Sequence, residues 1–282
     1  MHNINTPLIF SKKISKYFNK NIWLKLEIYN STGSHKDREC ELMVREAKKK
    51  GYKTVGCAST GNLAISLAFF AKKEGLQCLV WLVKKKNNDI VKNYMSAFQS
   101  RIIEKKIKLN DLYKESNEYM YRHQIYNANP GKNKLKLEAN KKIGDEIKKK
   151  IKNLDTVICS LNNGSHLIGV SKSFLKNKID IIGCYSKSKL APSINEYAKA
   201  EKKKNILFAV KNEKNLIKIN SNEIKKASNL LLEEGILAEG AGAVSVAALY
   251  GIKKRKHKNI CCIITGSGLK NSLKLKISLN GK

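Results

Sequence analysis

The residue with the most chemical promise is a lysine set among turn-forming residues, Ser31-Thr32-Gly33-Ser34-His35-Lys36-Asp37-Arg38, just after the apolar stretch Ile22-Trp23-Leu24-Lys25-Leu26. An amine held there and partly withdrawn from water could attack a carbonyl and form a Schiff base. In a chain with 56 Lys and Arg, a given lysine is ordinarily a solvated surface group, so its company has to carry the argument. Ala58-Ser59-Thr60-Gly61-Asn62, Leu161-Asn162-Asn163-Gly164-Ser165-His166 and Ile264-Thr265-Gly266-Ser267-Gly268 supply it. Each follows an apolar run and puts small or polar groups where a strand would end. Asn163-Gly164-Ser165, at an expected strand-to-helix turn, would offer backbone N–H groups and a helix dipole to an anion, the physics of a phosphate cradle. A turn of Asn and Gly also serves simply to reverse the chain. Gly266-Ser267-Gly268 lacks the third glycine and the following acidic residue of a dinucleotide fingerprint, which argues against a nicotinamide role.

These groups need strands and helices to hold them, and the hydrophobic pattern supplies both in alternation. Residues 53–58 and 77–83 read as strands around a helix over 62–73, which Gly75 would cap. A helix over 90–98, a strand at 101–103, a helix over 111–122 and an extended stretch at 124–126 follow. After Pro130 come a lysine-rich helix ending near Lys150, a strand at 156–161, a helix over 166–174 and a strand at 180–185. Residues 187–220 carry no assignable pattern. A helix over 222–234, a glycine-interrupted segment Glu239-Gly240-Ala241-Gly242-Ala243 leading into a small-residue helix to Tyr250, and a strand over 259–264 complete the chain. Such alternation predicts an α/β fold with parallel sheets covered by helices on both faces. In open parallel sheets ligands sit beyond the carboxyl ends of the strands, where these loops are expected.

Composition bounds the function. The chain of 282 residues is 42% hydrophobic, enough for a sizeable core. The net charge of +33 suggests nucleic acid or an anionic surface as partner. The lysines, however, are spread in short runs such as Lys84-Lys85-Lys86 and Lys202-Lys203-Lys204, with no interleaved aromatics as a stacking platform for bases. Codon supply from a genome rich in A and T explains them more simply, so neither a specific nucleic acid nor a membrane is expected. Seven cysteines without a C-x-x-C pair read as reduced core residues, and five histidines without metal-ligand spacing give no metal site. Lacking a signal-type apolar segment or a membrane-length run, the chain is expected to be cytoplasmic.

In order along the chain, Thr6-Pro7-Leu8, Leu24-Lys25-Leu26-Glu27, Thr32-Gly33-Ser34-His35-Lys36-Asp37-Arg38, Ser59-Thr60-Gly61-Asn62, Asn129-Pro130, Asn163-Gly164 and Thr265-Gly266-Ser267-Gly268-Leu269-Lys270 resemble the pyridoxal-phosphate enzymes of the tryptophan synthase β fold, fold type II, and within them the threonine synthases. The resemblance spans nearly the whole chain, as a shortened version. It implies two lobes, each an open, mostly parallel twisted sheet flanked by helices: a large cofactor-binding domain from 1–32 and 129–282, and a small domain, 33–128, with the lysine and the substrate-carboxylate loop. It implies that Lys36 forms the internal aldimine with pyridoxal 5'-phosphate and moves protons at Cα, Cβ and Cγ. Asn62 would bond the phenolic oxygen, Asn162, Asn163, Gly164, Ser165 and His166 would hold the phosphate, and Thr265 would meet the pyridine nitrogen with a neutral hydroxyl. Ser59, Thr60 and Gly61, with Asn127 and Lys132, would take the substrate.

The implied reaction converts O-phospho-L-homoserine and water to L-threonine and phosphate, a carbon–oxygen lyase reaction in threonine biosynthesis. Its substrate is a small phosphorylated amino acid, and a homodimer is the family's frequent state. The chain departs from the family pattern at His35, where Phe is usual, and at Leu63, Ala128 and Lys132, where hydroxyls and an arginine usually read the substrate phosphate. Ser165 and Asn162 replace usual glycines of the cradle. Glu239-Gly240-Ala241-Gly242-Ala243 looks more like the dehydratase version. A related lyase or replacement enzyme of threonine dehydratase or cysteine synthase type therefore stays open, as does a catalytically idle basic protein that binds nucleic acid.

Overall fold

The computed structural model describes residues 5–84, 89–131, 133–194 and 200–269. In chain order its elements are β1 (Leu8–Phe10), α1 (Lys12–Phe18), β2 (Asn21–Leu26), α2 (Lys36–Lys49), β3 (Thr54–Ala58), α3 (Asn62–Glu74), β4 (Gln77–Val83), α4 (Asp89–Ala97), β5 (Arg101–Lys105), α5 (Leu109–Arg122), β6 (Tyr126–Asn127), α6 (Leu135–Lys150), β7 (Thr156–Ser160), α7 (Ser165–Ser171), β8 (Asp180–Tyr185), α8 (Ala200–Val210), β9 (Leu216–Lys218), α9 (Ser221–Glu233), α10 (Gly240–Ile252) and β10 (Asn259–Ile264). The chain forms two compact units, Met1–His35 with Lys136–Gly268, and a second built on Lys36–Leu135.

The first unit holds a sheet of order β1-β2-β10-β7-β8-β9. Every neighbouring pair is parallel except β1 with β2, which puts one antiparallel strand at the edge. Side chains alternate across a strand, and here the alternation is apolar on both faces, as a doubly covered sheet requires. Ile22, Leu24, Ile158, Cys262 and Ile264 face one core with Ile14 and Phe18 of α1, Ile224 and Leu231 of α9, and Val244 and Leu249 of α10. Val157, Cys159, Cys261 and Ile263 face the other with Ile143 and Ile147 of α6, Leu167 and Val170 of α7 and Ile206 of α8. Each fully buried Ile or Leu adds about 1.5–3 kcal/mol.

The second unit holds a parallel sheet of order β5-β4-β3-β6. Val55, Cys57, Val80 and Leu82 pack under α2, α3 and α4. Ala58 and Trp81 pack on the opposite face with Leu112 and Met120 of α5. The α/β class expected from the sequence is thus what the chain adopts. Gly75 caps α3 as expected, in the left-handed region at φ 75°. Within residues 187–220, which gave no pattern, lie α8 and β9. The chain shows no helix long and apolar enough to cross a membrane among the described residues.

Candidate active site

In the first unit the strand order reverses at β7. The chain runs β7 to β8 to β9 in one direction, while β10 lies on the other side of β7. Such a switch point leaves an opening at the carboxyl ends of the two central strands, because their following loops depart in opposite directions. Residues 161–166 follow β7 and residues 265–268 follow β10, and the pairing of Ile158 with Cys262 sets these loops at the same end of the sheet. The second unit repeats the device. β3, β4 and β5 run one way and β6 flanks β3 on the other side, with Gly56 paired to Asn127. Ser59 to Asn62 and Asn127 therefore share one end of that sheet.

Gly164 holds the turn after β7 at φ 89°, a left-handed conformation that favours glycine. A Cβ there would also lie 2.9 Å from Ile206 Cδ1, so the loop is fitted to a residue without a side chain. Asn163 Oδ1 accepts the Ser165 N–H at 3.2 Å, and the α7 N-cap makes no side-chain capping bond. Ser165 and His166 are buried, and Asn162 and Asn163 are half-buried. The helix expected over 166–174 is shorter, ending at Ser171 and followed by a 3-10 turn over Lys172–Phe174. A loop carrying neutral amide, hydroxyl and imidazole donors suits a phosphate.

Thr265 is buried at 2% exposure, and its hydroxyl reaches Ala241 O at 3.4 Å. The segment around it is fixed by backbone bonds to the turn that precedes the lysine: Ser267 N–H donates to Gly33 O at 2.8 Å, and His35 N–H donates to Thr265 O at 3.0 Å. Gly33 adopts φ 81° to make that turn. Gly242 on α10 comes so close that a Cβ would stand 2.7 Å from Gly266 O. His35 Nδ1 lies 3.1 Å from Thr265 O, and its ring rests 4.8 Å from that of His166. His166 Nδ1 in turn meets Asn140 Oδ1 at 3.0 Å. His35 therefore links the Thr265 segment to the loop after β7, a role that the sequence showed only as a departure from the usual Phe.

Lys36 opens the second unit as the first residue of α2, directly after His35 in the chain. Its Nζ reaches Glu39 at 2.9 and 3.0 Å. Asn62 is the first residue of α3, whose N-cap Gly61 makes no side-chain capping bond. Ser59 Oγ accepts the Gly61 N–H at 3.3 Å, which folds Ser59, Thr60 and Gly61 into a tight loop. This loop is braced by Asn129, whose Oδ1 accepts the Ala58 N–H at 2.6 Å while its Nδ2 donates to Ser116 Oγ at 3.0 Å and Asn117 Oδ1 at 2.8 Å. Asn127 belongs to the same network, donating to Asn117 Oδ1 at 2.7 Å and accepting the Asn129 N–H at 2.9 Å. Leu63 and Ala128 are core residues of this unit, and neither side chain carries a donor. Lys132 and Lys270 lie outside the described residues. The bracing by Ser116 and Asn117 had no signal in the sequence, because it joins residues of a polar helix face to a distant loop.

Each unit offers groups of a kind that one cofactor needs: the first a loop suited to a phosphate and a buried neutral hydroxyl, the second a lysine amine at the start of a helix. A model of the family described as pyridoxal-phosphate dependent enzyme matches residues 1–266. The chain belongs to that family. Pyridoxal phosphate is its cofactor. The chain is similar to threonine synthase of Methanocaldococcus jannaschii, at 28% identity over 306 aligned positions covering 94% of this chain and 75% of that protein. It is also similar to threonine synthase of a Bacillus species, at 26% identity with 95% and 83% covered. Among solved structures, the processed form of threonine deaminase isoform 2 from Solanum lycopersicum superimposes with a TM-score of 0.84 at 19% identity, covering 94% of this chain and 79% of that one. At that identity the likeness shows the fold alone.

Proposed function

We propose that this enzyme converts O-phospho-L-homoserine and water to L-threonine and inorganic phosphate. The observation that carries the reading is the likeness to threonine synthases along 94% and 95% of the chain, at 28% and 26% identity. The motif Lys36-Asp37-Arg38 and the segment from Thr265 to Gly268 support it. Lys36 is the residue that would hold the cofactor covalently. Asn62 would bond its phenolic oxygen, Asn162, Asn163, Gly164, Ser165 and His166 its phosphate, and Thr265 its pyridine nitrogen. The chemistry that pyridoxal phosphate supplies when bound is an aldehyde for an amine and a ring that spreads the electron pair left at a neighbouring carbon.

The chain's own groups then divide the remaining work. Ser59, Thr60 and Gly61 would bind the substrate carboxylate through a loop already stiffened by Asn129, so little ordering is left to pay at binding. Asn127 and Lys132 would take the substrate phosphate, with Lys132 as a point charge rather than a bidentate fork. Lys36 Nζ would accept a proton from the substrate Cα and return protons further along the substrate as phosphate leaves and water adds at Cβ. Thr265, a hydroxyl rather than a carboxylate, would not enforce a proton on the pyridine nitrogen, which suits elimination and addition.

A second reading has one observation in its favour. Leu63 and Ala128 are buried in the core where the family's phosphate-reading hydroxyls usually stand, so an unphosphorylated hydroxy amino acid would lose less here. The two readings separate in a substrate panel of O-phosphohomoserine, threonine and O-acetylserine. We expect phosphate from the first and no turnover of the other two at a comparable rate. Faster formation of a keto acid from threonine would favour the dehydratase type instead.

A further inference from the structure

Lysine runs that lie far apart in the sequence meet at one end of the first unit. The strands β10, β7, β8 and β9 are parallel neighbours, and at their starts Ile260 stands beside Thr156 and Thr156 beside Asp180. Neighbouring strands are about 4.8 Å apart, so the segments that enter these four gather within about 15 Å. Residues 148–155, 176–180, 211–215 and 253–259 lead into them, and every exposed charged side chain there except Glu213 is basic. The half-buried acids are spent within the segments: Asp155 accepts the N–H groups of Lys258 and Asn259 at 2.8 Å each, and Asp180 meets His257 at 2.8 Å. Arg255 bonds Asn215 Oδ1 at 2.7 Å and Lys211 bonds Asn177 O at 3.3 Å, which ties the segments together without cancelling charge. The loops at the other end of β7 and β10, residues 161–166 and 265–268, contain no Lys, Arg, Asp or Glu.

Beside these segments the surface is apolar. Leu175 and Phe208 are 54% and 75% exposed, and with Phe174, Ile179 and Lys211 they line a groove of about 290 Å³. Singly exposed apolar side chains are ordinary, but two that share a groove form a patch that a contact would cover. We propose that this basic end of the first unit docks on the anionic surface of a phospholipid bilayer, with Leu175 and Phe208 entering the headgroup layer. A bilayer offers phosphate charge at its surface and hydrocarbon just beneath, which matches lysines set around an apolar patch. The phosphates of a nucleic acid would use the lysines alone and leave both apolar side chains in water. A second copy of the chain would set like charge against like. The contact is peripheral, since no helix among the described residues is long and apolar enough to cross the bilayer.

The test sediments the full chain, loaded with pyridoxal phosphate, with vesicles of phosphatidylcholine alone or mixed with phosphatidylglycerol. We expect binding to the mixed vesicles only, weakening as salt is raised. Lys253→Gln, Lys254→Gln and Lys256→Gln together should lower the affinity on the order of a hundredfold, at about fivefold for each lysine taken from an anionic surface. The same change at Lys49, Lys73 and Lys106, exposed lysines of the second unit, removes equal charge and should lower it far less. Phe208→Ala should lower it on the order of tenfold without changing retention on heparin, which reads charge alone. All of these side chains are exposed, so the variants are expected to fold, and circular dichroism checks that they do. No binding to the mixed vesicles, equal loss from both lysine sets, or undiminished vesicle affinity in Phe208→Ala overturns the proposal. Tight binding to duplex RNA with none to the vesicles also overturns it and gives this end to nucleic acid.

Discussion

Asn129 is 1% exposed, and its amide makes bonds on both sides, accepting from Ala58 and donating to Ser116 and Asn117. Removing it takes the side-chain acceptor from the buried Ala58 N–H, at a cost of about 1–3 kcal/mol for an unsatisfied buried group. We expect Asn129→Ala to lower the urea midpoint accordingly and to raise the KM more than it lowers kcat, since it loosens the loop proposed to take the substrate carboxylate. An unchanged midpoint would show that water replaces the amide. At this scale the sequence was legible in part. Lys36, Asn62 and Thr265 stood out because each sits among small or turn-forming residues just after an apolar run. Glu39 did not, because a glutamate three residues from a lysine is ordinary on a helix surface and only its burial makes it unusual. Asn127 stood out only through the resemblance, and its amide also joins the Asn117 and Asn129 network.

Elements carry the glycines. Gly164 combines φ 89° with a Cβ position 2.9 Å from Ile206, so Gly164→Ala imposes backbone strain on the order of 1–3 kcal/mol. We predict a lower thermal midpoint and weaker binding of pyridoxal phosphate, measured by titration, with the larger loss in binding. Equal cofactor affinity in the folded variant would remove this loop from the phosphate. Gly242→Ala on α10 should shift the segment after β10, since its new methyl would meet Gly266 O at 2.7 Å. The paired strands and helices were legible because apolar runs of two different periods mark them. The stretch at 187–220 was not. β9 there is only three residues long, and α8 is rich in lysine, so neither displays a period. α2 was not read in the sequence, because it begins directly after the turn-forming residues 31–35 and its first half is charged.

Over the molecule, all seven cysteines are buried thiols. Burial pushes the thiols of Cys78, Cys159, Cys184, Cys261 and Cys262 up, to about 12 for Cys78 and Cys261, so their reactive thiolate is scarce near neutrality, and Cys40 and Cys57 are shielded by burial. We expect no labelling of the native protein by such a reagent and labelling of all seven after denaturation. Fast labelling of the native form would contradict the packing. A second whole-fold property follows from Glu46, whose carboxyl is held below the usual range chiefly by the hydrogen bond from Tyr126. A carboxylate lowered on folding adds stability above its unfolded value and loses it as the pH falls through the folded one. The stability difference between the wild type and Tyr126→Phe should therefore narrow from about pH 7 to about pH 3. A gap that stays constant over that range would place the effect in packing alone. The +33 charge, legible at once, explains none of these features; what places the candidate residues is the reversal of strand order at β7 and at β3.

The central claim is that Lys36, among 56 basic side chains, binds the cofactor. Borohydride reduction of the protein loaded with pyridoxal phosphate, followed by proteolysis and mass spectrometry, tests it most directly. The account predicts a phosphopyridoxyl group on the peptide containing Lys36 and loss of that group in Lys36→Ala. A label confined to another lysine, or an undiminished label in the variant, would contradict it.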